Sequence, residues 1–268
     1  MEKIKSIIAL VFTSLLFISC EEVIHLDLET INEKYVIEAN FTNVAGGAKV
    51  AISKTKSFNS TGDFLGESGA IVTIEDNSGV VTRFTESNNK GIYIHPTLKG
   101  NPESTYKLKV DINGQIFTAS SKMPTVVKLD SVYALALNVF DGERKFTHVR
   151  FRDPIGKGNN YRFLEYKNGI YGKSIMVAND DLIDGNLVNQ MLRPRDFNEE
   201  SKLKVGDKIR VEFLTIEDAI YKYWFSVDSG AQGGGDSAAP INPVSNIKGG
   251  AIGYFSAHTF QSMEYTVK

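Results

Sequence analysis

The stretch Tyr106-Lys107-Leu108-Lys109-Val110-Asp111-Ile112-Asn113-Gly114 decides the fold of the first half of the chain. Its apolar residues fall at every second position, which is the period of a half-buried β-strand. Asn-Gly directly after such a run is typical of a two-residue hairpin turn, because both residues tolerate positive φ angles. The stretch therefore predicts a strand that turns back into an antiparallel neighbour.

The same alternation recurs on the N-terminal side of this hairpin. Turn-forming residues, such as Asn77-Ser78-Gly79 and Asn88 to Gly91, separate the runs. About seven short strands without a helical period between them predict a β-sandwich over residues 34–124. The additional strands are expected at Tyr35 to Phe41, Val50 to Ile52, Ala70 to Ile74, Val80 to Glu86 and Ile92 to His95.

The spacing within this sandwich resembles a known type of module. Gly79, Gly91-Ile92-Tyr93 and Tyr106-Lys107-Leu108 are similar in placement to positions of carboxypeptidase-regulatory or transthyretin-like domains. The resemblance implies an immunoglobulin or transthyretin-like sandwich. Modules of this type bind or space other domains more often than they catalyse.

A second, mainly antiparallel β module is expected over residues 125–268. Met123-Pro124-Thr125 marks the boundary, because proline cannot donate to a strand ladder. Asp141-Gly142 and Asn168-Gly169 predict two hairpins, the second joining Tyr161 to Lys167 with Ile170 to Val177. Later strands are expected at Lys208 to Ile216, Ala251 to Ala257 and Tyr265 to Val267, after an irregular acidic loop.

One short helix is predicted near residues 217–228. Ile220, Tyr223, Trp224 and Val227 fall at i, i+3, i+4 and i+7, the spacing of one helical face. This spacing favours a stripe that packs on the sheet over a ligand platform. Gly230 is expected to end the helix, and residues 230–245, rich in Gly, Ala, Ser and Pro, to form a mobile loop. The fold class is therefore all-β with one helix.

The first twenty residues have the pattern of an export signal. Lys3 and Lys5 precede an apolar run from Ile7 to Ile18, and the chain's single cysteine, Cys20, follows. The run is shorter than the roughly 20 residues that a membrane-spanning helix needs. Residues 1–19 are therefore predicted to be a signal peptide. An ordinary signal with a chance cysteine and an uncleaved anchor are the alternatives.

Phe17, Ser19 and Cys20 resemble a bacterial lipobox, although leucine is commoner at the first position. The resemblance implies that Cys20 becomes the lipidated first residue of the mature chain and that residues 20–33 form a tether. The protein would then lie on a membrane and not within it. Glu21-Glu22 resembles the signal that sends many Bacteroidota lipoproteins to the outer face of the outer membrane. A solvated tether is the alternative.

Composition argues against nucleic-acid binding and limits how the fold can be stabilised. The chain of 268 residues carries a net charge of −2 and has no basic block, so it lacks the electrostatic footprint of nucleic-acid binding. Hydrophobic residues make up 42% of the chain, enough for a sizeable core. A single cysteine cannot form an internal disulfide, so packing alone must hold the exported domain together.

No set of catalytic or metal-binding residues is complete in the sequence. His25, His95, His148 and His258 are scattered without ligand spacing. The acidic loop at 180–186 is weakly similar to a calcium loop, but Leu182 stands where a second oxygen ligand is required, which favours a solvated turn. No nucleophile elbow or phosphate loop is present. We expect a non-enzyme with no cofactor and no metal.

The loops of the second module are the expected binding surface, because long polar loops on a rigid sheet often carry function. Arg193, Arg195 and the loop over 231–243 are the candidates. Asp236-Ser237-Ala238 and Asp130-Ser131-Val132 resemble the three-residue acceptor of Bacteroidota O-glycosylation. Ser237 is the candidate modified residue, since its loop is accessible to an enzyme.

Motifs along nearly the whole mature chain resemble one Bacteroidota lipoprotein family, the domain of unknown function four-two-four-nine. The resemblance implies an outer-membrane lipoprotein that works beside a TonB-dependent transporter in uptake, and it implies no catalytic residues. A structural or adhesive envelope protein and a glycan-active hydrolase are the alternatives. The motifs are Gly91-Ile92-Tyr93, Thr105-Tyr106, Met123-Pro124, Phe151-Arg152-Asp153-Pro154, Tyr221-Lys222-Tyr223-Trp224, Asn242-Pro243, Asn246-Ile247 and Gly250-Ala251-Ile252-Gly253-Tyr254-Phe255-Ser256-Ala257.

Lipidation can be tested directly in cells fed a radioactive fatty acid. The wild-type chain should take up label and the Cys20→Ala variant should take up none, because Cys20 carries the only thiol of the chain and a thiolate is the nucleophile that forms a thioether. Immunoblotting confirms equal expression of the two proteins. Equal labelling of both would contradict the prediction.

Overall fold

Sixteen strands and one helix form the part of the chain that the computed structural model describes, residues 33–56, 65–139, 142–195, 198–231 and 242–268. This confirms the predicted all-β class. The predicted signal peptide, Cys20, nearly all of the tether and Ser237 lie outside the described residues. The elements are β1 (Tyr35–Thr42), β2 (Ala48–Lys54), β3 (Ile71–Glu75), β4 (Val81–Arg83), β5 (Thr85–Glu86), β6 (Ile92–His95), β7 (Thr105–Ile112), β8 (Gln115–Lys122), β9 (Leu129–Val139), β10 (Gly142–Arg152), β11 (Asn160–Lys167), β12 (Ile170–Tyr171), β13 (Met176–Asn179), β14 (Leu187–Leu192), β15 (Lys208–Ile216), α1 (Asp218–Ala231) and β16 (Ile252–Thr266).

A nine-stranded sheet runs through the molecule in the order β12-β11-β15-β16-β1-β2-β6-β5, with β13 on the outer edge of β11. A four-stranded sheet, β4-β3-β7-β8, packs on the β1-β2-β6 end and forms the first sandwich. A three-stranded sheet, β14-β10-β9, packs on the β11-β15 end and forms the second. The sheets thus enclose two hydrophobic cores.

The hairpin at Asn113-Gly114 is the predicted one. Strands β7 and β8 pair from Thr105 with Lys122 to Ile112 with Gln115, and both turn residues have positive φ. The apolar residues of β7 face the four-stranded sheet's core, where Leu108 and Val110 are almost completely buried. Alternation in the sequence thus becomes one buried and one exposed face.

The last strand, β16, belongs to both sandwiches. Its first half pairs in parallel with β1, from Val36 with Ile252 to Thr42 with His258. Its second half pairs antiparallel with β15. Phe255 and Ala257 are buried in the first core, while Met263 packs against the second. These residues share one face of the strand, so both smaller sheets lie on the same side of the large sheet.

Residues 33–268 form one compact unit. The predicted boundary at Pro124 lies between β8 and β9, where residues of the first core give way to residues of the second. The C-terminal segment crosses this division, because Ile247 and Ala251 also lie in the first core. Two local cores therefore share one continuous sheet.

Helix α1 covers the opposite face of the large sheet. Ile220 and Tyr223 are buried against Leu214 and Tyr254, with Trp224 and Val227 partly buried beside them. The predicted apolar stripe is therefore core. The helix continues past Gly230 to Ala231, so the prediction that Gly230 ends it is wrong. No helix in the described part of the chain is long and apolar enough to cross a membrane.

Three strand predictions are wrong in detail. The run Val80 to Glu86 divides into β4 and β5, which belong to different sheets, because Phe84 turns inward between them and is 3% exposed. The run Ile170 to Val177 divides into β12 and β13, and both pair with β11. The acidic loop is followed by a strand, β14, which sequence reasoning left irregular.

The C-terminal strand is also longer than predicted. Residues expected to form two strands form the continuous β16, and its polar middle, Ser256 to Thr259, is buried. Ser256 and His258 point to the face of the large sheet that α1 covers, where the charged side chain of Arg162 is also buried. A polar residue in the middle of a strand is consistent with burial when hydrogen-bond partners are at hand, as Ser256 Oγ and His258 Nδ1 are, 2.9 Å apart.

Gly253 should be essential for the join between β1 and β16. Its φ is +115°, and a Cβ there would lie 2.0 Å from the backbone oxygen of Ile37. Backbone strain and the clash together should make Gly253→Ala cost on the order of 3 to 5 kcal/mol of unfolding free energy, measured by urea denaturation. The control is Gly114→Ala, also at positive φ but in open space, which should cost about 1 to 2 kcal/mol. Equal losses would contradict the close approach.

Candidate functional site

A cleft of about 720 Å³ opens at one end of the second sandwich. It lies between β10 of the small sheet and the β11–β12 hairpin of the large sheet, and the segment that follows β14 closes one side. Its volume falls in the range of small-molecule sites, roughly 300 to 1,000 Å³. The lining residues are Arg144 to Thr147, Glu165, Lys167, Asn168, Ile170 to Ser174, Met176, Leu192, Pro194, Arg195, Asn198, Glu200, Ser201 and Leu203.

The hairpin that forms one wall is held by its own turn. Asn168 and Gly169 have positive φ, as the Asn-Gly turn requires. The side chain of Asn168 donates to Asp207 Oδ1 at 2.9 Å and accepts from the backbone N–H of Lys208 at 2.9 Å. These bonds fix the hairpin tip to the start of β15, so this wall of the cleft is rigid.

Lys167 holds the segment that closes the cleft. Its Nζ donates to the backbone oxygens of Glu200 at 2.6 Å and Lys202 at 2.8 Å, and it lies 3.8 Å from Asp207 Oδ2. These three oxygens compensate the positive charge of the half-buried ammonium group. Lys167 therefore positions the wall and is largely committed to it.

Glu165 and Thr147 meet across the interior of the cleft. Thr147 Oγ1 donates to Glu165 Oε1 from the facing sheet. Burial raises the pKa of Glu165, and the Thr147 hydrogen bond and the Lys167 charge oppose that rise only in part. Glu165 takes the next inward position of β11 after the core residue Phe163, and Thr147 takes the inward position of β10 before the core residue Val149, so the apolar core of the sandwich ends at this level.

The mouth of the cleft carries exposed apolar surface at Ile170, which is 75% exposed. Ile170 pairs with Lys167 and shares its inward face. Tyr171 pairs with Tyr166, so its ring lies on the opposite face of the sheet, where it packs on Tyr166 with centroids 5.3 Å apart. The guanidinium carbon of Arg210 lies 3.7 Å from the Tyr166 centroid on that same outer face.

The structure separates the two arginines proposed from the sequence. Arg195 lines the cleft, and its backbone N–H donates to Ser174 Oγ at 2.8 Å. Arg193 is exposed and does not line it. Residues 242–245, the described end of the predicted loop, do not line it either. Sequence reasoning missed Glu165, Lys167 and Lys173.

The acidic loop comes together with Asp153, the residue that directly follows β10. Carboxylate oxygens of Asp153, Asp180 and Asp184 lie within 4.8 Å of one another. Such oxygens could ligate a hard cation such as calcium. Each carboxylate also accepts a backbone N–H, from Gly185 at 3.0 Å, Asn159 at 2.9 Å and Gly156 at 2.7 Å respectively. These bonds already explain the cluster as a clamp between two loops.

The phenol of Tyr161 completes this clamp. It donates to Asp153 Oδ1 in the interior, and burial together with this hydrogen bond raises the pKa of Tyr161. Asp153 is 1% exposed. Its buried carboxylate accepts hydrogen bonds from the Tyr161 hydroxyl and from the backbone N–H of Gly185. Asp181, which the sequence placed in the same loop, bonds instead to Asn179 Nδ2 at 2.6 Å.

A second buried polar group lies beneath α1. The guanidinium carbon of Arg162 is 3.4 Å from the Trp224 ring centroid, and the nearby Tyr254 hydroxyl hydrogen-bonds the side chain of Asn40. Burial and the nearby Arg162 charge lower the pKa of His258 to about 4, so this imidazole is neutral at pH 7. The group joins the helix to the sheet, and none of its members lines the cleft.

The histidines lie apart, as the sequence suggested. Those within the described residues, His95, His148 and His258, occupy three different strands, and none belongs to the cluster of carboxylates. His25 lies outside the described residues. Burial lowers the pKa of His148 as well.

The first sandwich carries a different kind of depression. A groove of about 660 Å³ crosses the outward face of the β3-β7-β8 sheet. Its charged groups pair across neighbouring strands, as Lys107 Nζ does with Glu75 Oε1 at 2.9 Å. Cross-strand pairing on a solvated sheet face is ordinary for an antiparallel sheet, so the cleft is the stronger candidate site.

Comparison with known proteins identifies the family. The model of the family described as domain of unknown function (DUF4249) matches residues 21–264. The chain therefore belongs to the DUF4249 family, which confirms this part of the sequence resemblance. No curated protein matches the chain. It is similar to a solved two-domain fibronectin type III segment from chicken tenascin, with 12% identity over 69% of this chain and 92% of that one and a TM-score of 0.24.

The raised pKa of Glu165 makes stability depend on pH. A folded-state value above the usual 4.5 means that Glu165 favours folding below about pH 4.5 and that this contribution is lost as the pH rises through the raised value. Glu165→Gln should therefore be more stable than the wild type at pH 7, with a difference that shrinks toward pH 4, in urea denaturation. Glu200→Gln, which changes an exposed carboxylate of the same cleft, should show no such trend. A constant difference at all pH values would contradict the prediction.

Proposed function

We propose that this member of the DUF4249 family is a non-catalytic, lipid-anchored protein of the bacterial outer membrane. It binds a ligand in the cleft of the second sandwich and assists a TonB-dependent transporter in nutrient uptake. The observation that carries the proposal is the cleft itself, a concave site of about 720 Å³ with rigid walls. The family match supplies no activity.

The construction of the cleft supports binding. One wall is a hairpin fixed through Asn168, and another is a segment fixed through Lys167. Preformed walls reduce the entropy that a site loses when it orders around its ligand. Exposed apolar surface at Ile170 stands beside polar groups, which is the usual composition of small-molecule sites.

The sequence supports the membrane anchor. The apolar run and Cys20 fit a lipoprotein signal, and β1 begins only at Tyr35. Residues 20–33 would span at most about 50 Å if fully extended. The folded unit would therefore remain close to the membrane surface, within reach of a transporter in the same membrane. Glu21-Glu22 supports the outer face of that membrane.

Non-catalytic binding is favoured over hydrolysis by the roles of the acidic groups. Glu165 is engaged by Thr147, and Asp153, Asp180 and Asp184 are held by backbone donors away from the cleft. A glycosidase needs two carboxyl groups facing one substrate, roughly 5 to 9.5 Å apart. Glu165 and Glu200 both line the cleft, but the side chain of Glu200 is exposed at the rim.

The transport role is tested by affinity purification of a C-terminally tagged copy from gently solubilised outer membranes of the native organism. A TonB-dependent transporter should be recovered in near-equal amount, and it should remain with the Arg193→Gln variant, which changes a cation outside the cleft. A strain that lacks the protein should grow poorly on the transported nutrient alone.

Two results would contradict this proposal. Recovery of the protein alone, with normal growth of the deletion strain on every defined nutrient, would favour a structural or adhesive envelope protein. Release of sugar or peptide products from envelope polymers by the purified protein would establish a hydrolase.

A further inference from the structure

The cleft carries an excess of positive charge. Cationic side chains outnumber carboxylates among the lining residues by five to two, in a chain whose overall charge is −2. A cleft lined by one sign of charge between low-dielectric walls concentrates its field. The cations are Arg144, Lys145, Lys167, Lys173 and Arg195, and the carboxylates are Glu165 and Glu200.

The five cations differ in their exposure to solvent. Lys167 is held by two backbone oxygens and Asp207, and Lys145 donates to the backbone oxygen of Lys268. Arg144 is 4% exposed. Lys173 and Arg195 are exposed at the rim, and no side-chain partner for Lys173 occurs among the described residues.

The backbone brings these two rim cations together. The Arg195 N–H donates to Ser174 Oγ at 2.8 Å, and Ser174 directly follows Lys173. The two segments therefore enter the rim side by side, one from the β12–β13 connection and one from the end of β14. Two cations on adjacent backbone segments suit one anionic group, which can accept hydrogen bonds from both.

The carboxylates do little to offset this charge. Glu165 is turned toward Thr147, and burial raises its pKa, which lowers its ionised fraction. The exposed side chain of Glu200 lies in high dielectric, where its effect on the interior is weak. The net field of the cleft is therefore positive.

We infer that the cleft binds a small organic anion, whose carboxylate or phosphate meets Lys173 and Arg195 and whose hydrocarbon body covers Ile170 and the neighbouring apolar lining. This inference rests on the proposed binding function and adds the chemical class of the ligand. The anionic group provides orientation at the rim, and the exposed apolar residues provide contact area for the rest of the molecule.

Calorimetry with matched pairs of ligands tests the inference on the purified full chain in detergent. The first pair is trigalacturonate and its methyl ester, and the second is glucose 6-phosphate and glucose. Members of each pair differ in charge and share their sugar body. At least one anion should bind tenfold or more tightly than its neutral counterpart, and its affinity should fall with added salt. The pair that responds identifies carboxylate or phosphate as the recognised group.

The double substitution Lys173→Gln with Arg195→Gln should weaken binding of the anion at least tenfold. Lys173→Gln alone should also weaken binding, and Lys109→Gln is its matched control, because each removes one positive charge from an exposed lysine and Lys109 lies on the first sandwich. Both sets of exposed side chains should leave the urea midpoint unchanged, so loss of binding would not reflect unfolding. Lys173→Arg should retain affinity.

The outcomes separate the two proposals. Equal affinity for the neutral and charged members of a pair, unchanged in the double variant, would overturn the anion inference while binding in the cleft could stand. No binding of any of the four compounds would overturn the anion inference, and co-purification of a transporter would then still support the transport role. Loss of anion binding in Lys109→Gln as well would also overturn it, because the charge would act at long range and not through the rim.

Discussion

The structure depends on the parallel pairing of β1 with β16, the first and last described strands. Every other pairing between the described strands is antiparallel and joins residues that are fewer than 60 positions apart, the widest being Lys208 with Thr266. This one joins residues more than 200 positions apart, from Val36 with Ile252 onward. This pairing joins the β1-β2-β6 part and the β11-β15-β16 part of the large sheet, so the two sandwiches share one continuous sheet. The chain must lose the entropy of closing this long loop before the contacts between β1 and β16 form. We therefore expect this pairing to be completed late in folding.

The cleft follows from the way in which the second sandwich ends. In β11 the inward positions pass from Tyr161 and Phe163, which fill the core, to Glu165 and Lys167, which do not. The facing β10 contributes Thr147 at the same level. Apolar packing thus stops before the sheets do, and the space between them is open to solvent. The apolar core is shorter than the strands that enclose it, so the ends of the strands themselves form much of the cleft.

Local patterns predicted local structure well. The Asn113-Gly114 hairpin and the α1 stripe depend on residues close in sequence, and both are present as expected. The division of Val80 to Glu86 between two sheets was not predictable from alternation, because Phe84 turns inward only where a second sheet exists to receive it. The same holds for β16, whose polar middle is buried by neighbours that lie far away in sequence.

The candidate site was only partly visible in the sequence. Arg195 was chosen because it lies in a polar loop, and it does line the cleft. Glu165 and Lys167 occupy strand positions, where charged residues are normally assigned to the solvated face. The usable signal was their register: they continue the inward series of Tyr161 and Phe163. The periodicity of one strand does not show which strand faces Glu165 and Lys167 across the cleft, because that depends on the tertiary structure.

The position of β1 has a mechanical consequence. It is the first described strand, and it lies inside the sheet with β2 on one side and β16 on the other. A pull applied at residue 33 and directed along the strand loads the hydrogen bonds to both neighbours at once, so they must break together and not one by one. Forced unfolding is governed by the height of that barrier. In a protein held by its N-terminal end at a surface, a pulling force would thus act on the hydrogen bonds of β1 to both β2 and β16.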